Sequence, residues 1–124
     1  MARPEQQEPV DLEHLNRYTG GDRALNAEIL SLFETSCDQI LAQLQTLAAA
    51  ADPAAQAKAW HQATHTLKGA ARGVGAFGLG NAAEKAEKKG LSDPAGTLEA
   101  LAAIQVQAKA VHDFIAAFLK EEPL

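Results

Sequence analysis

The apolar residues of this chain recur at the spacing of amphipathic α-helices, and no segment shows the alternation typical of a strand. A short first helix is predicted over residues 10–18, just before a glycine pair at 20–21. Asp22 is a suitable N-cap for a long second helix that runs to about Ala50. The apolar positions of that helix keep a 3.6-residue period and are Leu25, Ile29, Leu32, Phe33, Ile40, Leu44 and Leu47.

Two Asp-Pro pairs mark further helix starts, because Asp accepts free N–H groups and Pro fits the first helical position. The pair at 52–53 opens a third helix, and the pair at 93–94 opens a last helix that runs to about Lys120. Between them, glycines predict a turn over 73–78 and then a short helix that ends at about Lys89. The apolar side of the last helix comprises Leu98, Leu101, Ala108, Val111, Ile115, Phe118 and Leu119. This pattern predicts an all-α protein, an up-down four-helix bundle with a short additional N-terminal helix.

The length of 124 residues, 27 of them alanine, predicts a single helical domain over 10–124 that follows a flexible tail over 1–9. No apolar run approaches the roughly 18 to 20 residues that span a bilayer. The N-terminus also lacks the features of a secretory signal. We therefore expect a cytoplasmic protein without membrane contact. Cys37 is the only cysteine, which excludes an internal disulfide and favours a small buried residue.

The charge is distributed unevenly along the chain. Residues 58–90 hold six basic and two acidic side chains, a balance of +4, so the remainder carries -9 and the whole chain -5. An acidic bulk argues against nucleic acid as a partner, because that binding requires basic surfaces that neutralise phosphates. The basic segment suits an acidic protein surface instead.

The third helix carries an unusual polar face. With about 100° per residue, Trp60, Ala63, Thr64, Leu67, Ala71 and Val74 form its core stripe. The opposite, outward face collects two histidines and three cations, namely His61, His65, Lys58, Lys68 and Arg72. Gly69 also lies there, although glycine costs about 1 kcal/mol relative to alanine inside a helix.

A gap at Gly69 beside His65 has a simple functional explanation. A neutral imidazole nitrogen is a nucleophile near pH 7, and Lys68 could stabilise an added phosphoryl group. The open space would let a partner approach closely. The alternative is a solvated polar face with one tolerated glycine.

Two other patterns are similar to ligand-binding motifs but lack part of what those motifs require. Residues 73–78 read G-x-G-x-x-G, but a helix precedes them where the dinucleotide fingerprint needs a strand, which favours a helix-turn-helix junction. His61 and His65 have the i, i+4 spacing of a metal pair. No Glu, Cys or further His on the same face completes that site. We therefore predict neither a metal nor a cofactor, with a metal- or haem-binding bundle as an alternative.

The segment from His65 to Gly75 resembles the signature of histidine-containing phosphotransfer (HPt) domains. It has a His followed by Leu, Lys and Gly at plus two to four and Gly at plus ten, and Leu79 at plus fourteen also fits. The likeness extends to residues 21–33 and covers nearly the whole chain. It departs at Ala86, where a larger apolar residue is more common, and at Thr64, where alanine is common.

The resemblance implies a phosphocarrier that accepts a phosphoryl group on His65 from the aspartyl phosphate of a response-regulator receiver domain and passes it to another receiver. Such a receiver can be fused to a hybrid histidine kinase. Lys68 would then stabilise the phosphoryl group and Gly69 would provide access, while His61, Arg72 and Lys58 would contact the partner. The chain shows no Walker-type loop and is too short for an ATP-binding domain, so we expect a carrier and no enzyme. We also expect a monomer. A non-catalytic helical adaptor that binds receivers is the alternative.

Overall fold

The computed structural model describes residues 8–121, and within this range it contains helices and no strand. The five helices are α1 (Leu12–Thr19), α2 (Arg23–Ala48), α3 (Pro53–Gly73), α4 (Phe77–Lys89) and α5 (Pro94–Lys120). Helices α2 to α5 pack in chain order, and α5 returns to pack against α2, which closes the bundle. This confirms the all-α bundle with a short leading helix. The first seven residues of the predicted tail lie outside the described residues.

Aspartates cap the N-termini of three helices, at the predicted Asp22 and Asp52 and also at Asp11, which was not predicted. The side chains of Asp11, Asp22 and Asp52 each accept a hydrogen bond from a backbone N–H three residues later. Asp93 stands before Pro94 at the start of α5 but makes no such side-chain bond. The short α1 ends at Gly20, which adopts the left-handed conformation.

The connection between α3 and α4 is tighter than the predicted turn over 73–78. It comprises residues 74–76, so Gly78 and Gly80 lie inside α4. Gly75 has a φ of 89°, and its carbonyl accepts the backbone N–H of Asp11 at 2.9 Å. This contact ties the start of α1 to the turn. Val10, which was expected to begin α1, precedes the helix and is buried.

Trp60 anchors the seam between α3 and α4. It is almost fully buried, and its indole N–H donates to the Ala86 carbonyl of α4 at 2.9 Å. The predicted core stripe of α3 is confirmed, since all six of its residues are buried: Trp60, Ala63, Thr64, Leu67, Ala71 and Val74. Because one side of α3 is held against the bundle, the opposite side faces outward.

Four leucines predicted to face the core are exposed instead, namely Leu25, Leu32, Leu98 and Leu119. Leu30 and Cys37, which the predicted stripe omitted, are buried in α2. With about 100° per residue, Leu32 lies more than about 90° from the centre of the stripe that α2 buries. The sequence marked these leucines only as apolar, whereas packing selects one side of each helix. The burial predicted for Cys37 is confirmed, and it raises the pKa of the thiol to about 11.

Candidate functional site

His65 lies on the outward side of α3, with 63% of its side chain exposed. Its Nδ1 atom is 3.2 Å from Oε2 of Glu87 on α4. A carboxylate only accepts hydrogen bonds, so Nδ1 carries the proton and donates it. Among the described residues, none forms a hydrogen bond with the other ring nitrogen, Nε2. In the neutral imidazole this leaves Nε2 as the unprotonated nitrogen, at the surface of the protein.

Glu87 gathers three side chains from successive turns of α3. Its Oε1 accepts from Lys68 Nζ at 2.9 Å. Its Oε2 lies 3.2 Å from His65 Nδ1 and 3.4 Å from His61 Nε2. The hydrogen bond from Lys68, followed by that from His65, holds the pKa of Glu87 below its usual value despite the opposing effect of burial. We call His61, His65, Lys68 and Glu87 the Glu87 cluster.

Glu87 was not among the residues predicted for the site. It follows His65 by 22 positions and belongs to another helix, so the angular projection of α3 alone could not include it. Glu87 thus reaches the two histidines from α4, whereas α3 itself supplies no carboxylate on this face. Within residues 8–121, however, no group of three or more His, Cys, Asp or Glu is arranged to hold a metal ion.

The predicted outward face of α3 is only partly open, because α4 runs beside it. His61, His65 and Lys58 are exposed, as expected. Lys68 and Arg72 are not, since 21% and 37% of their side chains are accessible. The prediction that all three cations lie on an exposed face therefore has to be corrected for Lys68 and Arg72.

Arg72 is held in a second group of contacts one turn further along the seam. Its guanidinium donates to Glu84 and also to Asn81 Oδ1, the latter at 3.0 Å. Hydrogen bonds from Arg72 and Lys88 lower the pKa of Glu84 to about 2. A Cβ atom at Gly80 would lie 2.8 Å from Cγ of Arg72, so this glycine makes room for the arginine. Much of the charge of Arg72 is thus balanced within the chain.

Gly69 has open space around it. A Cβ atom built at this position would have no heavy atom within 4 Å, apart from the helix's own backbone and its chain neighbours. Packing inside the described chain therefore gives no reason for a glycine here. The surface beside His65 is correspondingly clear.

Two further predictions concern the segment 73–78 and the membrane. The G-x-G-x-x-G run over 73–78 is a junction between α3 and α4, as predicted, and the segment before it is a helix. None of the described helices combines the length and apolarity needed to span a bilayer.

Three comparisons with known proteins gave one match. A search of curated proteins found no match, and a search of solved structures found none either. The family model described as Hpt domain matches residues 28–119, a span that includes α3, α4 and most of α2 and α5. His65 and Glu87 both lie inside it. Since the match covers most of its length, the chain belongs to the Hpt domain family, whose members carry phosphoryl groups in two-component systems and interact with receiver domains.

Proposed function

We propose that this protein is a phosphorelay intermediate that accepts a phosphoryl group on His65 from one receiver domain and delivers it to another. The observation that carries the proposal is the pairing of His65 Nδ1 with Glu87, which leaves Nε2 free at an exposed position. An imidazole held in one tautomer is a ready nucleophile at neutral pH.

The transfer is a displacement at phosphorus. The lone pair of His65 Nε2 attacks the phosphorus of the receiver's aspartyl phosphate, so a P–N bond forms while the P–O bond breaks. The aspartate leaves as a carboxylate. The proton on Nδ1 stays in its hydrogen bond to Glu87, which stabilises the positive charge that develops on the ring. Delivery to the next receiver is the reverse displacement.

Lys68 and Gly69 have separate roles in this proposal. Lys68 Nζ contacts the same carboxylate as His65 Nδ1, and in this proposal it pairs with the phosphoryl oxygens once the group arrives. Gly69, one turn beyond His65, leaves the approach clear for the receiver. The protein thus supplies a nucleophile, a cation and space, while the receiver supplies its own acidic catalytic site.

Docking depends on charge that the fold leaves accessible. Lys58 is exposed and forms no salt bridge with any described residue. His61 is also exposed, on the side of His65 toward Lys58. Arg72 contributes less than its position on α3 indicates, because Glu84 neutralises it. A small transient interface of roughly 1,200 Å² or less suits repeated exchange, and complementary charge raises its encounter rate.

Incubation with a phosphorylated receiver domain tests the proposal. We expect one phosphoryl group per chain, in an acid-labile and base-stable bond as for phosphohistidine. His65→Gln should abolish labelling and leave the helix content unchanged, because the side chain is exposed. His112→Gln is a matched control, since His112 is another exposed histidine paired with a glutamate.

Two outcomes would contradict the proposed function. Labelling that persists in His65→Gln would move the phosphorylation site elsewhere. Stable binding of receivers without any labelling of the parent protein would identify the alternative, a helical adaptor.

A further inference from the structure

Two histidines share one oxygen atom of Glu87. The rings of His61 and His65 lie nearly parallel, 13° apart, with their centroids separated by 6.0 Å. Both direct a nitrogen at Oε2, His61 through Nε2 and His65 through Nδ1. Of these two contacts, that of His65 is a hydrogen bond, whereas His61 Nε2 lies at an ion-pair distance of 3.4 Å. The structure thus couples His61 to the proposed phosphorylation site through a single atom.

The Glu87 cluster is electrically balanced before transfer. Lys68 contributes one positive charge and Glu87 one negative charge, and they meet at 2.9 Å. When both imidazoles are in the neutral form, in which His65 can act as a nucleophile, these two charges cancel within the cluster. Apart from the nucleophile His65, His61 is then the member of the cluster that can gain a proton.

Phosphorylation of His65 upsets this balance. The phosphoryl group brings about two negative charges, and the ring gains one positive charge while Nδ1 keeps its proton. The cluster therefore becomes more negative by about one charge. Lys68, on its flexible stem, is drawn toward the phosphoryl oxygens. Glu87, with only 12% of its side chain exposed, is then left without that cation.

We propose that His61 takes up one proton when His65 is phosphorylated and replaces Lys68 as the cation beside Glu87. This inference rests on the proposed function. Imidazole is the side chain that gains a proton near neutral pH, and His61 Nε2 already lies 3.4 Å from Oε2. The groups that face His61 are Glu87 on α4 and His65 on its own helix, with Lys58 one turn earlier. His61 is thus a positioning residue that acts through Glu87.

Proton uptake makes the extent of phosphorylation depend on pH. Because phosphorylation and protonation of His61 favour each other, thermodynamic linkage requires that a lower pH favour the phosphorylated form of the chain. A histidine that only contacted the receiver would not produce this coupling in the isolated protein.

The test is NMR of the histidine rings at pH 7, before and after phosphorylation by phosphoramidate, a small-molecule phosphoryl donor. A ³¹P signal of phosphohistidine that is lost in His65→Gln reports modification of His65, and transfer from a phosphorylated receiver to the parent protein tests the proposed function separately. We expect the ¹⁵N shifts of His61 to move from the neutral to the protonated pattern. Those of His112, paired with Glu34 between α2 and α5, should not change. A His61 ring that stays neutral in the phosphorylated protein would overturn the inference.

Glu87→Gln tests the route through the carboxylate. The variant cluster begins with one excess positive charge from Lys68, so the added negative charge is balanced without a proton. We expect the His61 ring of this variant to stay neutral after phosphorylation. If it becomes protonated as in the parent protein, the phosphoryl group itself attracts the proton, and the role assigned to Glu87 is wrong. Circular dichroism verifies that the variant, which keeps the shape of the side chain, is folded.

Discussion

The Nδ1 atom of His65 on α3 lies 3.2 Å from Oε2 of Glu87 on α4, although 22 positions separate the two residues in the chain. This one hydrogen bond determines which nitrogen of the exposed imidazole carries the proton. It also joins the nucleophile to a carboxylate that Lys68 already holds at its other oxygen. The reactivity of His65 should therefore depend on α4 as much as on its own helix.

Glu87→Ala should slow phosphotransfer to His65 by about tenfold or more, equivalent to at least about 1.4 kcal/mol of transition-state stabilisation. The variant loses the acceptor that fixes the tautomer and stabilises the charged ring. Single-turnover transfer from a phosphorylated receiver measures the effect. Glu84→Ala is the matched control, because Glu84 lies one turn earlier on α4 and contacts Arg72 and Lys88 instead. Equal rates for Glu87→Ala and the parent protein would contradict the assigned role.

Substitutions of Gly69 should affect the stability of the fold and the rate of phosphotransfer differently. Gly69→Ala should raise the free energy of unfolding by about 0.5–1 kcal/mol, because alanine favours the helix and no neighbouring atom opposes its methyl group. Gly69→Gln should melt no lower than the parent protein yet transfer phosphate far more slowly, since misplacing reactants by about 1 Å can cost on the order of a hundredfold in rate. Thermal denaturation and transfer kinetics of the same samples measure these two effects. A Gly69→Gln protein with the parental transfer rate would show that the clearance beside His65 is unnecessary.

Lys58 is the clearest probe of electrostatic docking, because the structure shows it exposed and without a salt bridge to any described residue. Lys58→Glu should lower the association rate with a receiver several-fold at low ionic strength and flatten its dependence on salt. Stopped-flow association at several salt concentrations measures both effects. Lys109→Glu, on α5, controls for the change in net charge. A similar loss in the two variants would mean that net charge matters and a local docking surface does not.

Acid should loosen the seam between α3 and α4 through Glu84. The Arg72 and Lys88 contacts lower the pKa of this carboxyl from 4.5 to about 2 in the folded protein. A lowered pKa contributes stability that is fully present above pH 4.5 and is lost as pH falls toward 2. Urea unfolding of the parent protein and of Glu84→Gln at pH 6, 4 and 3 tests this. We expect the two stabilities to converge as the pH falls; a constant difference would contradict the assignment.

The burial of Cys37 predicts slow thiol chemistry. Because burial raises the pKa of this thiol to about 11, little reactive thiolate exists at pH 8. Alkylation by iodoacetamide at pH 8 should therefore be much slower in the folded protein than in urea. The same rates in both conditions would show that Cys37 is accessible in solution.

The sequence by itself determined the features that depend on near neighbours along the chain. Aspartates and prolines gave the helix starts at 22, 52 and 93 to within a residue, because capping involves atoms three residues apart. The helical period placed Trp60 in the core, and it placed His65 and Gly69 on the opposite face. A single helix was enough for these predictions, since its geometry is the same before and after packing.

Only the tertiary structure decided which side chains meet across helices. The partner of His65 is Glu87, and the partner of Arg72 is Glu84, because α4 packs antiparallel beside α3 after a turn of three residues. Periodicity also could not distinguish Leu30, which is buried, from Leu32, which is exposed. Contacts between helices depend on their relative rotation and separation, and these follow from the packing of the whole core and not from any one segment.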